Sequence, residues 1–184
     1  MNAEIIFPKN LYDYYRKNTS LFEEKVNWIQ KAAFGFGFLI CSVLVLFPSV
    51  ISEHIWVIRI IAGIGIMAFW YGIVEYGRDY FNRKTGGVIK PLTVKKFDMS
   101  NNDETDILET FFNKDFDKLA ALSEAKDQPI QLYIHEDPKG EIFYCQLMKY
   151  FSSSDFKALT DVIVLKGALY EKYKSVIRGI YPTK

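Results

Sequence analysis

The chain has 184 residues, of which 49% are hydrophobic and 24% charged, so it can form one folded domain and an accessory region. This composition excludes a collagen-like or a disordered protein, and two cysteines are too few for a disulfide framework. The net charge of +1 excludes a strongly basic nucleic-acid-binding protein, although residues 1–96 carry 12 Lys/Arg against 7 Asp/Glu and residues 97–184 carry 11 against 15.

The first 31 residues are predicted to form an amphipathic segment. Between Asn10 and Asn18 the sequence LYDYYRK combines apolar and aromatic side chains with Arg16 and Lys17. Such a composition suits a short helix that lies at the level of lipid headgroups. The alternative is that the tyrosines of this segment contact a folded core.

An uncharged stretch of 20 residues follows, from Ala32 to Ile51. As a helix it spans about 30 Å, the thickness of the hydrocarbon core of a bilayer. A cleaved signal peptide fits poorly, because 31 residues precede the stretch and its apolar part is too long. The other alternative is a buried helix of a soluble protein. The sequence therefore favours a first transmembrane helix.

A second apolar stretch runs from Ile55 to Tyr76, and its uncharged centre, Ile60 to Val74, spans about 22 Å as a helix. Arg59 and Glu75 close this centre at its two ends, from where each side chain can reach a membrane interface. The alternative for Arg59 is a functional charge inside the membrane. The aromatic side chains expected to anchor the helices at the interfaces are Trp28, Trp56 and Tyr76.

Only three residues separate the two stretches, which predicts a tight antiparallel hairpin over residues 32–84, with a cytoplasmic helical extension at its end. Pro48 either kinks the first helix or helps to end it. Basic residues flank both outer ends of the hairpin and are missing from its connecting loop, so the positive-inside rule predicts that both termini are cytoplasmic. Richness in Lys, Ile, Asn, Phe and Tyr indicates an AT-rich bacterial genome, so the membrane is predicted to be a bacterial inner membrane.

Small residues recur in both predicted helices at a spacing of four. Such positions let helix backbones approach closely in lipid. They are predicted either to pack the two helices of the hairpin against each other or to join protomers into a homo-oligomer. The candidate helix-packing residues are Ala33, Gly37, Gly63, Gly65, Ala68 and Gly72.

Residues 85–97 are predicted to be an extended basic tether. Pro91 confines this segment to a sheet edge or a bend. Its three lysines, Lys90, Lys95 and Lys96, are predicted to bind at the membrane surface, where each would contribute about 1 kcal/mol of attraction to anionic headgroups.

Residues 98–184 are predicted to be a small α+β cytoplasmic domain that can fold alone. Apolar residues recur at helical spacing up to residue 122, and the acids of this helix, residues 103–122, form a solvated face or, alternatively, a partner-binding surface. Apolar and polar residues then alternate from Ile130 to His135, before a type I turn at Asp137–Gly140 and a returning strand. The remaining predicted elements are a strand from Asp161 to Leu165 and a closing helix from Ala168 to Arg178.

His135, Glu136 and Asp137 form the only dense group of metal-capable side chains in the sequence. Adjacent residues of a strand point to opposite faces, so the three side chains do not easily converge on one ion. Cys145, on a predicted strand, is expected to be a buried structural thiol. Because nucleophile, metal and phosphate-binding motifs are missing, we predict no catalytic residue, no metal site and no cofactor.

The function predicted from the sequence is that of a non-enzymatic membrane protein whose hairpin holds a docking or assembly domain. Such a domain would belong to a bacterial envelope, secretion or conjugation machine. Its partners would be the lipid bilayer and other protein subunits, including further copies of the chain, and no nucleic acid. Two alternatives stay open. One is an immunity protein that neutralises a toxin through the acidic helix, and the other is an oligomeric small channel or membrane-shaping hairpin.

Overall fold

The computed structural model describes residues 7–48, 54–76, 78–92 and 94–180. The chain forms two compact units. The first unit, the sheet domain, joins the residues up to Glu23 to those from Tyr80 onward, and the second unit, the helical hairpin, is the segment Glu24–Asp79. The hairpin is therefore an insertion in the sequence of the sheet domain. Residues 49–53, which end the first predicted span and form most of the predicted loop, lie outside the described residues.

The described residues form six α-helices and eight β-strands. In chain order they are α1 (Leu11–Lys17), β1 (Phe22–Val26), α2 (Trp28–Leu46), α3 (Ile55–Glu75), β2 (Arg78–Asn82), β3 (Gly87–Pro91), β4 (Lys95–Lys96), α4 (Glu104–Phe112), α5 (Phe116–Ala121), β5 (Ile130–Asp137), β6 (Ile142–Ser152), β7 (Asp155–Ala158), β8 (Ile163–Lys166) and α6 (Ala168–Ile180). Helix α2 ends before Pro48, which agrees with a role of this proline in ending the helix.

Eight strands of the described chain form one sheet, in the order β1-β2-β3-β5-β6-β7, with β4 also paired to β5 and β8 also paired to β6. The pairs from β2 onward are antiparallel. The longest pair, β5 with β6, brings Ile134 opposite Cys145 across the turn that follows Asp137. The predicted α+β class is confirmed. Strand β7 has no counterpart among the predicted elements.

Side chains of β5 and β6 alternate between the two faces of the sheet, and both faces are covered. On one face, Ile134 and Cys145 are fully buried in a cluster with residues of α4, α5 and α6. On the other face, Tyr144 of β6 belongs to a second cluster, to which α1 contributes. The buried members of this second cluster are Leu11, Tyr15, Phe22, Tyr80, Ile89 and Tyr144.

Helix α1 contacts the core of the sheet domain, which is the second of the two alternatives given above for its tyrosines. The side chain of Asn10 accepts a hydrogen bond from the backbone N–H of Asp13 and caps the helix. Leu11 and Tyr15 are four residues apart and therefore share one helix face, and only 2% and 1% of their surfaces are exposed. Helix α1 is thus part of the sheet domain.

The second hairpin helix ends at Glu75, and a strand, β2, occupies part of the predicted helical extension to residue 84. In β2, Tyr80 and Asn82 are buried whereas Asp79 before them and Phe81 between them are only half-buried, which is the period of two that a strand shows. The aromatic residues of this strand continue the apolar stretch of the helix, so local pattern alone favours a longer helix. The pairing of β2 with β3 decides the outcome.

Residues 85–97 contribute β3 and β4 to the sheet, so this segment differs from the predicted tether. Lys95 is only 4% exposed, and its Nζ donates a hydrogen bond to the backbone carbonyl of Ala120 at 3.0 Å. Ala120 lies in the last turn of α5, where carbonyl groups lack helical partners, so Lys95 caps that helix. Burial lowers the pKa of Lys95. Lys90 is exposed and Lys96 is half-buried.

The predicted acidic helix is divided into α4 and α5. Lys114, between them, has a φ of 57°, in the left-handed region that interrupts a right-handed helix. Asp115 then caps α5, because its side chain accepts a hydrogen bond from the backbone N–H of Lys118. Phe111 and Phe116 flank the break and are both fully buried, so the break lets both helices direct an aromatic ring into the core.

Candidate functional site

The helical hairpin exposes its apolar side chains. No residue of α2 is buried. Helices α2 and α3 have 19 and 21 residues, which corresponds to about 28 and 31 Å, and by length and composition both could cross a membrane. A core helix of a soluble protein would be mostly buried, which these helices are not. Their exposed side chains include Phe36, Leu39, Val43, Leu46, Ile60, Ile61, Ile64 and Met67.

Exposed aromatic side chains mark both ends of the hairpin. Trp28, the first residue of α2, is 75% exposed, and Tyr76, directly after α3, is 54% exposed at the same end. Trp56 lies at the other end and is 68% exposed. Trp70 and Tyr71, near the end of α3, are exposed as well. This pair is not among the anchoring residues predicted from the sequence, although two adjacent aromatic residues close to the end of an apolar stretch are a usable signal.

Arg59 donates a hydrogen bond from Nε to the backbone carbonyl of Val45 at 3.3 Å. Val45 lies in the last turn of α2, where the carbonyl groups have no partner within the helix. A cation at this end is also favoured by the helix dipole. Arg59 therefore joins the two helices near the connecting loop. Glu75 ends α3, and its side chain lies outside the described part of the chain.

Three of the predicted helix-packing residues lie between α2 and α3. A Cβ atom at Gly37 would overlap the ring of Phe69, and one at Gly72 would overlap the ring of Phe34. A Cβ atom at Gly65 would be 2.6 Å from Sγ of Cys41. The remaining three residues are placed differently, because Gly63 has open space at its Cβ position and both alanines are exposed: Ala33 and Ala68.

Replacement of Gly37 by Leu is expected to push α2 away from α3 and to destabilise the hairpin by about 1 to 3 kcal/mol, the usual cost of overpacking. Gly35→Leu is the matched control, because Gly35 lies in the same helix with nothing near its Cβ position. All three tryptophans of the chain belong to the hairpin, so tryptophan fluorescence of the full chain in detergent, titrated with SDS, measures its unfolding. Equal shifts of the two variants would contradict this packing.

The two chain segments at the base of the hairpin are held together by polar side chains. Asn27 caps α2, because its Oδ1 accepts a hydrogen bond from the backbone N–H of Gln30. The same side chain donates from Nδ2 to the carboxylate of Asp79 at 2.9 Å. Nearby, Nη1 of Arg78 lies 3.3 Å from the carboxylate of Glu24. This group is not among the residues predicted from the sequence, in which an asparagine directly before an apolar helix is the available signal.

His135, Glu136 and Asp137 have three different sets of partners. The Nδ1 atom of His135 lies 3.2 Å from the hydroxyl of Tyr15, and burial lowers the pKa of this imidazole to about 4. Glu136, on the other face of the sheet, accepts hydrogen bonds from Tyr170 and Arg178 of α6 at 2.7 and 2.6 Å. Each of these two side chains therefore fixes a helix to the sheet.

Asp137 is fully buried and joins two turns. Its carboxylate accepts one hydrogen bond from the hydroxyl of Thr85 and another from the backbone N–H of Gly140. A Cβ atom at Gly87 would overlap the Asp137 carboxylate, so only glycine fits there. Among the described residues, no group of three or more His, Cys, Asp or Glu side chains could hold a metal ion.

Comparisons with family models, curated proteins and solved structures found no match for this chain. The features on which a function can be proposed are therefore the exposed apolar hairpin and the sheet domain into which it is inserted.

Proposed function

We propose that the protein is a non-enzymatic integral membrane protein of a bacterial inner membrane. Its helical hairpin spans the bilayer, and its sheet domain serves at the cytoplasmic surface as a docking module for other protein subunits. The observation that carries this proposal is the exposure of the hairpin's apolar side chains, since no residue of α2 is buried. An apolar surface of this size is unfavourable in water and marks contact with lipid or protein.

The geometry of the hairpin supports a bilayer as its surroundings. Both helices have the length of the hydrocarbon core, and exposed aromatic side chains lie at both of their ends, as in interfacial belts. Backbone polar groups in lipid must be satisfied within the protein. The hydrogen bond from Arg59 to Val45 satisfies one of the carbonyl groups that a helix end leaves without a partner.

The cytoplasmic location of the sheet domain is proposed from charge. Lys25, Lys31 and Arg78 lie at the end of the hairpin from which the chain continues into the sheet domain. Basic residues next to transmembrane helices are retained on the cytoplasmic side.

The docking role is proposed from buried polar side chains of the sheet domain that have partners, and from two aromatic side chains that are exposed on its surface. The buried polar side chains His135, Glu136 and Asp137 have partners within the fold, as a structural role requires. Two aromatic residues remain exposed near the turn between β6 and β7, where Tyr150 is 42% and Phe151 55% exposed. Aromatic residues are enriched at protein–protein interfaces.

Cysteine labelling in intact bacteria tests the anchor and its orientation. Cys145 is fully buried and burial raises the pKa of its thiol, so the native cysteine is a poor reporter. Ser153→Cys places an exposed thiol in the sheet domain, and His54→Cys places one at the connecting loop. We expect a membrane-impermeant maleimide to label His54→Cys in intact cells and Ser153→Cys only after lysis. Release of the full chain by alkaline carbonate would contradict the anchor, and the reverse labelling would contradict the orientation.

The docking role is tested in the same cells by a photo-crosslinking amino acid at position 151. Crosslinked species that contain a second protein are expected from this position. The matched control is position 172, which is exposed on α6. Absence of crosslinks at position 151, or the same pattern from both positions, would contradict docking through the aromatic surface.

A further inference from the structure

Strand β7 lies at one end of the strand order, and among the described strands only β6 pairs with it. Hydrogen-bonded and non-hydrogen-bonded residue pairs alternate along an antiparallel ladder. The backbone N–H of Leu159 donates to the carbonyl of Leu147 at 2.8 Å, so these two residues form a hydrogen-bonded pair. The alternation then places Phe156 and Ala158 in the other kind of pair, in which the backbone N–H and C=O groups point away from β6. The outer edge of β7 therefore offers two donors and two acceptors to a further strand.

The side chains of β7 differ between the two faces of the sheet, because successive residues of a strand point to opposite faces. On one face, the ring of Phe156 lies against the ring of Tyr150, with the ring centroids 4.2 Å apart. On the other face, Asp155 and Lys157 form an ion pair of 2.7 Å that leaves both side chains accessible to solvent. The edge thus presents aromatic rings on one face and two opposite charges, two residues apart, on the other.

This edge is complementary to itself in one antiparallel register. When Phe156 lies opposite Phe156 of a second copy, the outward backbone groups of the two residues exchange two hydrogen bonds and the two rings meet on one face. Two-fold symmetry then places Asp155 of each copy opposite Lys157 of the other copy, while the ion pair within each chain is kept. A register centred on Lys157 would instead place two lysines opposite each other, which is unfavourable. Charge therefore selects the register centred on Phe156.

We propose that β7 pairs with β7 of a second copy of this chain, so that the two sheets join into one sheet across a two-fold axis. A lysine on an edge strand usually prevents pairing with other strands, and here the register supplies an aspartate opposite Lys157. The contact involves one short strand of each chain, which suits a weak dimer, and anchorage of both copies in one membrane raises their local concentration. This inference rests on the proposed function and names the partner of its docking module.

Native mass spectrometry of the full chain in detergent, over a series of protein concentrations, tests the pairing. We expect a dimer whose fraction rises with concentration. Asp155→Lys and Lys157→Asp each place like charges opposite each other and should weaken the dimer at least tenfold. A mixture of these two variants, with a different tag on each, should form heterodimers as stable as the wild-type dimer, because opposite charges again face each other across the axis. Both variants lack the ion pair within the chain, so this recovery reports only the contact between chains. The matched control is Glu171→Lys, which breaks the ion pair with Lys174 on α6 and should leave the dimer unchanged.

Three results would overturn the inference: a wild-type chain that is monomeric at every concentration, a dimer that both variants keep, or a mixture that does not restore association. The circular dichroism of each variant shows whether it is folded, and if one is not, the comparison of the other with Glu171→Lys keeps the test decisive. Photo-crosslinking at position 151 separates this inference from the proposed function. If position 151 crosslinks to other proteins but the chain does not dimerise, only the pairing of β7 fails, whereas a chain that neither crosslinks nor dimerises rejects both proposals.

Discussion

Replacement of residues 24–79 by a Gly-Ser-Gly-Ser linker is expected to give a water-soluble protein that keeps the α+β fold. Strands β1 and β2, which lead into and out of the hairpin, are neighbours in the sheet, and neighbouring strands lie about 4.8 Å apart. A short linker can therefore join Glu23 to Tyr80. Both clusters of buried side chains around the sheet consist of residues outside the deleted segment, so the core is kept.

The expected effect is a complete change of location. After lysis and ultracentrifugation, the full chain should be in the membrane fraction and the shortened chain in the supernatant. The shortened chain contains no tryptophan, so its fold is followed by the near-ultraviolet circular dichroism of its tyrosines and by a cooperative thermal transition. A shortened chain that stays with the membrane, or one that is soluble but shows no cooperative transition, would contradict the division into a sheet domain and an inserted hairpin.

Residues 98–184 expressed alone are expected not to fold, contrary to the expectation from sequence pattern. Of the six buried members of the second cluster, Tyr144 is the one that this fragment keeps. The other five side chains come from α1, β1, β2 and β3, and burial of a large apolar side chain stabilises a protein by about 1.5 to 3 kcal/mol. Loss of five such side chains is of the order of the whole stability of a domain, about 5 to 15 kcal/mol.

The matched control for this fragment is the shortened chain in which the linker replaces the hairpin. It keeps α1, residues 80–82 of β2, and β3, and it should show slow amide hydrogen exchange in β5 and β6, whereas the fragment should exchange within the dead time. The fragment would also lose Phe97, a fully buried member of the first cluster. A cooperative thermal transition of residues 98–184 alone would show that the face of the sheet under α1 is dispensable.

Local sequence patterns were sufficient for the two apolar helices and for the α+β class. Twenty uncharged residues from Ala32 onward favour a helix of membrane length, because no other local structure hides that many backbone polar groups without water. The alternation from Ile130 to His135 and the turn after Asp137 predict the hairpin of β5 and β6, since both depend on residues a few positions apart. Small residues in the helices predict close packing, but not which of them face the other helix.

The other features of the fold depend on contacts between residues that are far apart in the chain, and the periodicity of the sequence does not predict such contacts. The apolar face of α1 could pack on a sheet or lie on a membrane. The contact of Tyr15 with His135, which is 120 positions away in the chain, shows that α1 packs on the sheet. Lys95 has the composition of a surface residue, yet the end of α5 offers its Nζ a carbonyl group and the side chain is buried. Arg78 and Glu24 meet because α2 and α3 bring the two ends of the hairpin back together. A sequence pattern shows which side chains need cover, whereas only the tertiary structure shows which element provides it, because that depends on the pairing of strands far apart in the chain.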